Sequence, residues 1–182
     1  MFENLYKVFF SIKFVNTDII TSIGCITETG ESFYFERSSY YDDGIQTNVN
    51  FDIRKEDMNV VGYGTYPHLK NEFHQWINQI YQKYNKKILF VSNWFNDSAL
   101  MYKLLGGMFE FPDYVCGFIW DISHDIAYYL KISPDEVYDI SLEEFIEKYR
   151  ETPLEKDNDY ENTDTLWDAK VIKEVFNIIH KK

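Results

Sequence analysis

The run Tyr6-Lys7-Val8-Phe9-Phe10-Ser11-Ile12-Lys13-Phe14-Val15 is apolar and aromatic almost throughout and dense in β-formers. It is too short to span a membrane, and its pattern predicts a central strand covered on both faces. Ser11 and Lys13 interrupt its second half. They are two apart, so they share one side of the strand. In α/β folds, sites gather at the ends of central strands. Ser11 and Lys13 are therefore the first candidate functional positions.

Working outward, Ile19 to Thr27 is a second β-branched run. Glu28-Thr29-Gly30-Glu31 is a turn with Gly at a useful place. Ser32 to Arg37 is a third strand, completing an antiparallel meander. Ser38 to Gly64 is rich in Asp, Asn, Ser and Gly and reads as a long connection with one short strand or turn. Pro67 then opens a helix to Tyr84, with Leu69, Phe73, Trp76, Ile77 and Ile80 on one face. His68 and His74 within it read as surface or capping residues. Lys87 to Val91 is a fourth strand, and strand–helix–strand implies a parallel crossover. Helices are expected over Asp97–Leu105 and Asp121–Lys131, the second burying Ile122, Ile126, Tyr129 and Leu130. Phe109 to Trp120 reads as a connection. Ser133-Pro134 and Ser141 open further short helices. The last helix starts at Thr163 or Asp164 and runs to about residue 179. Glu151 to Glu161 reads as a solvated acidic loop.

Bulk properties narrow the function classes. A chain of 182 residues is expected to form one domain, 1–182, with an ample core. Aromatic residues make up 19% of it, enough to fill that core and still line a surface. A formal charge of -12 argues against a broad nucleic-acid-binding face but leaves room for a local basic patch. Cys25 and Cys116 have no close partner for a CxxC motif and read as buried thiols. No signal-peptide layout and no membrane-length apolar run is evident, which points to a reducing, cytoplasmic setting.

Three strands, a helix, a fourth strand, then mostly helices is the order of a ribonuclease H-like fold: α/β, with a mixed five-stranded type of sheet flanked by helices. The segments resemble DEDD-type 3′–5′ exonucleases, specifically the RNase T-like exoribonuclease branch. FFSIKF with IITSIGCITETGESFYFE resembles the first motif and its meander, where the family strand reads Asp-x-Glu. FVSNWFNDSALMYKLLGG, from Phe90 to Gly107, resembles the second motif. Thr163-Asp164-Thr165-Leu166-Trp167-Asp168-Ala169-Lys170 resembles the third, ordinarily His, four residues, then Asp.

In that family two divalent ions, most often Mg²⁺, about 4 Å apart clamp the scissile phosphate. Carboxylate oxygens hold such hard cations, and a His activates water. Carried over, the four acids fall on Ser11, Lys13, Asp97 and Asp168, and the general base on Thr163. Two carboxylates of four remain, Asp97 and Asp168, and the base is lost. Lys13 would also set a cation against a cation, a repulsion of roughly 4 kcal/mol per unit charge at about 4 Å and an effective dielectric near 20. The resemblance with these losses implies a degenerate, inactive exonuclease-like protein that takes no cofactor. Lys13 is expected to pair with Asp97 or Asp168 in the vacated site. Such a protein would act by binding a protein, a nucleotide or a short single-stranded nucleic-acid end, and the family implies a homodimer. The alternative is an active exonuclease using Mg²⁺ or Mn²⁺ on rearranged ligands, with Asp18, Asp164 or Asn93 standing in. A purely structural subunit is a third reading. Ordinary roles stay open for each residue: Asp97 as a helix cap, Asp168 as a surface acid, Ser11 as a packing residue and Lys13 reaching to solvent.

Overall fold

The computed structural model describes residues 4–15, 19–37, 51–54, 59–107, 111–150, 152–154 and 164–181, with backbone only for 51–54 and 59. Thr163 and Asp18 lie outside the described residues.

The elements run β1 (Tyr6–Val15), β2 (Ile19–Thr27), β3 (Ser32–Arg37), β4 (Phe51–Arg54), β5 (Asn59–Gly64), α1 (Tyr66–Tyr84), β6 (Ile88–Ser92), α2 (Phe95–Leu104), β7 (Trp120–Asp121), α3 (Ser123–Leu130), a 3₁₀ segment (Pro134–Asp139), α4 (Leu142–Tyr149) and α5 (Asp164–His180). The described strands form one mixed sheet in the order β4-β5-β3-β2-β1-β6-β7. The β1–β2–β3 meander is antiparallel, and β6 runs parallel to β1 through Tyr6↔Ile88 to Phe9↔Val91.

The sheet is wider than the five-strand expectation. The stretch read as a long connection contributes β4 and β5, with β5 parallel to β3. Polar and Gly-rich flanks hid two short β-rich runs, FDIR and NVVGYG. Within the stretch read as a connection, Val115 bridges Ile88 and Trp120 begins β7, which pairs parallel with β6.

Helices cover both faces, as the apolar run of β1 predicts. Val8, Phe10 and Ile12 face one core with Leu69, Phe73, Trp76, Ile77 and Ile80 of α1 and Leu100, Met101 and Leu104 of α2. Phe9 faces the other with α3, α4 and α5, through Ile126, Phe145, Ile172 and Phe176. Strand alternation puts Ser11 and Lys13 on this second side, under α5. Tyr129 is 39% exposed rather than buried, because α3 is short and its core contact is Ile126 and Ala127. Cys25 and Cys116 are buried, free thiols. Among the described residues no helix is long and apolar enough to cross a membrane.

Two local features hold the frame. Gly30 adopts φ 110° in the β2–β3 turn, a conformation open to Gly. Behind that turn, the buried Glu31 carboxylate accepts from Lys83 at 2.6 Å, Tyr6 at 3.1 Å and the hydroxyls of Thr27, Thr29 and Tyr84. This ties the end of α1 to the meander. Burial alone would raise the Glu31 pKa, but Lys83 and the three hydroxyls outweigh it and hold the carboxyl well below the usual range.

Candidate functional site

β1 pairs with β6 only as far as Phe9, so its last residues run on past the partner strand. Ile12 N–H is satisfied by a side chain instead: it donates to Asp97 Oδ2 at 3.2 Å. Asp97 is the third residue of α2, whose N-cap is Trp94. It is therefore not the helix cap. The residue is 4% exposed, and its carboxylate bridges from α2 to the end of β1.

α5 supplies the facing wall. Its first turn lies directly on β2 at Gly24: a Cβ there would meet the Leu166 nitrogen at 2.2 Å. Gly24 is the cross-strand partner of Ser11. The close crossing therefore sets the next turn of α5, with Asp168, over Ser11. The result is a cleft of about 300 Å³ whose lining includes Ser11, Asn93, Trp94, Asp97, Glu143 and Asp168. Glu143 is fixed there by Trp167 Nε1, which donates to it at 2.6 Å.

The electrostatics follow from burial. Desolvation pushes the Asp97 pKa up to about 7; the Ile12 N–H opposes this, and the charges of Asp168 and Asp121 add to it. Asp97 is thus poised between its neutral and charged forms near neutrality. Asp121, at the end of β7, accepts at 2.9 Å from the N–H of Ser123, the first residue of α3. Asn93 Oδ1 is buried without a hydrogen-bond partner, so one acceptor of the cleft is unsatisfied.

Three of the sequence candidates, Ser11, Asp97 and Asp168, thus line one cleft. Lys13 does not join them, and its expected pairing with Asp97 or Asp168 is replaced by another. Its Nζ lies 2.6 Å from Asp164 Oδ2, with the side chains 50% and 58% exposed. The reason is geometric. Ser11 and Lys13 are about 6.6 Å apart along the strand; Asp168 and Asp164 are about 6 Å apart along the helix. With α5 running against β1, Ser11 shares the cleft with Asp168, and Lys13 meets Asp164. Thr163 falls outside the described residues. Among these, no group of three or more His, Cys, Asp or Glu is placed to hold a metal.

Sequence reading missed Trp94 and Glu143 as cleft residues and Asp121 as a charge acting on it. Trp94, between the end of β6 and the acid of α2, is 52% exposed. An aromatic at that junction was a legible signal; Glu143, arriving from a distant helix, left none. Comparison of the chain with protein-family models and with curated protein sequences gives no match.

Proposed function

We propose that the protein is a ribonuclease H-like domain of the DEDD exonuclease type that binds a nucleotide or the end of a short single strand without cutting it. The sheet order β3-β2-β1-β6-β7 supports the fold reading. The observation that carries the function is the make-up of the cleft: three carboxylates, Asp97, Asp168 and the Glu143 held by Trp167, with the Ser11 hydroxyl on the same lining and Lys13 turned aside.

That donor set does not fit a two-ion clamp. Two dications bring four positive charges, and the three carboxylates of the cleft, Asp97, Glu143 and Asp168, offer three negative charges at most. No cutting step is therefore assigned to the cleft. What it offers is a partly neutral carboxyl able to donate a hydrogen bond, the Ser11 hydroxyl, the unsatisfied Asn93 oxygen and the exposed face of Trp94. Bases stack on such faces with about 1–3 kcal/mol each. A cleft of about 300 Å³ is at the small end for a ligand site.

One observation favours the alternative, an active exonuclease with rearranged ligands: the unpartnered Asn93 Oδ1 is a neutral oxygen donor beside Asp97 and Asp168. A 3′-labelled single-stranded RNA and DNA assay separates the two. Binding without shortening in Mg²⁺ or Mn²⁺, weakened by Trp94→Ala, is the expected result. Metal-dependent shortening that Asp168→Asn abolishes overturns the binding-only reading.

A further inference from the structure

At the far end of α5, roughly 18 Å from Asp168 at ~1.5 Å per residue, lies a second groove of about 610 Å³. Arg150, Thr152, Asn177, His180 and Lys181 line it, with Glu174 on the same wall. It is a basic place on a chain of net charge -12.

Its distinctive feature is Arg150, the residue that ends α4. Arg150 Nη1 is buried and has no hydrogen-bond partner. A guanidinium stays charged at any physiological pH, and a buried orphan donor on it is expensive. A basic residue at a helix C-terminus ordinarily bonds the last carbonyls; this Nη1 does not. Nor does Glu174 approach it as an ion pair among the described residues. The opposite wall is firm: the His180 ring packs on Phe176 at 4.3 Å and its Nε2 lies 3.6 Å from Asp125. That fixes the end of α5 from which Lys181 extends.

We propose that this groove is a phosphate-binding site, in which the Arg150 guanidinium turns from its buried position to serve as the central donor and Lys181, Thr152 and Asn177 complete the contacts. A tetrahedral oxyanion satisfies a forked donor and a point cation at once. The carbonyl ends of α4 and α5 and the charge of Glu174 oppose an anion, so the site binds weakly and selects compact phosphates over long polyanions.

The test is thermal unfolding with inorganic phosphate against chloride at matched ionic strength. The expected result is a saturable rise in Tm with phosphate alone. Arg150→Met should weaken that response at least tenfold, and Lys181→Ser several-fold. Lys181 is exposed, so its variant carries the test by itself if Arg150→Met fails to fold. Adenosine 5′-monophosphate, with adenosine as control and the parent compared with Lys181→Ser, identifies the source: an equal response to nucleotide and free phosphate assigns the free ion, and a stronger one that Lys181→Ser weakens assigns the phosphomonoester to this groove rather than to the cleft. Equal effects of phosphate and chloride, an unchanged response in Lys181→Ser, or loss of the response in Asp168→Asn would overturn the site.

Discussion

The Cβ that Gly24 lacks would lie 2.2 Å from the backbone nitrogen of Leu166. Real Cβ atoms do not approach backbone so closely, and backbone cannot swing aside as a side-chain tip can. Gly24→Ala must therefore lift the first turns of α5 off β2. Ala169, Ile172 and Phe176 pack in the core beneath that helix. We expect a loss of about 2–4 kcal/mol, in the range of strained or overpacked core substitutions. Urea unfolding measures it. The same variant should also lose cleft binding, because Asp168 moves with the helix.

Asp97 gives a pH signature of known sign. Burial raises its folded pKa to about 7, above the unfolded value near 4. The folded state then binds the extra proton between those values. Stability from this group is full below about pH 4 and is lost as pH rises through about 7. Asp97→Asn keeps an oxygen to accept from Ile12 N and removes the buried charge. It should stabilise by about 1–3 kcal/mol at pH 8 and change little at pH 4, as read from Tm across that range in the presence of a chelator. An equal effect at both pH values would contradict the raised pKa.

How far the sequence spoke can be judged from β1. Its apolar run predicted a strand covered twice, and the alternation correctly set Ser11 and Lys13 on one side. The spacing could not show which acid each would meet, because that depends on where α5 crosses. Gly24 sets the crossing, and a lone Gly in a strand does not declare its contact. Asp97 was legible as a candidate by its place after β6, but not as a bridge to Ile12 N, which needs β6 to end early. β4 and β5 stayed hidden because short strands carry too few residues for a period to stand out among polar neighbours.

Glu31 sits far from the cleft and tests the frame alone. Its folded pKa is depressed, so its stabilisation is present above the unfolded value near 4.3 and fades as pH falls below it. Glu31→Gln keeps the shape but removes the charge that orders Lys83, Tyr84 and Thr27. A loss of about 1–2 kcal/mol at pH 7 is expected, shrinking towards pH 3. Because the network only anchors α1 to the turn, ligand binding in the cleft should persist at temperatures where the variant is folded. A variant as stable as the parent at pH 7 would show the network to be neutral.

The sharpest question concerns Ser11 and Lys13, since the resemblance treats both as former metal ligands while the geometry separates them. Ser11 lines the cleft; Lys13 lies beside Asp164, half in solvent. Ser11→Asp adds a carboxylate to the cleft that Asp97, Asp168 and Glu143 already line. Without metal, like charges raise the Asp97 pKa further and lower stability at neutral pH. With Mn²⁺, the added hard oxygen donor should tighten binding at least tenfold, seen by calorimetry. Lys13→Glu alone should change Mn²⁺ affinity little, and its loss of an exposed ion pair should cost under about 1 kcal/mol. Equal gains from both substitutions would mean that Lys13 reaches the cleft after all. No gain from Ser11→Asp would mean that β1 does not aim position 11 at the two aspartates, and the exonuclease-type reading would fall with it.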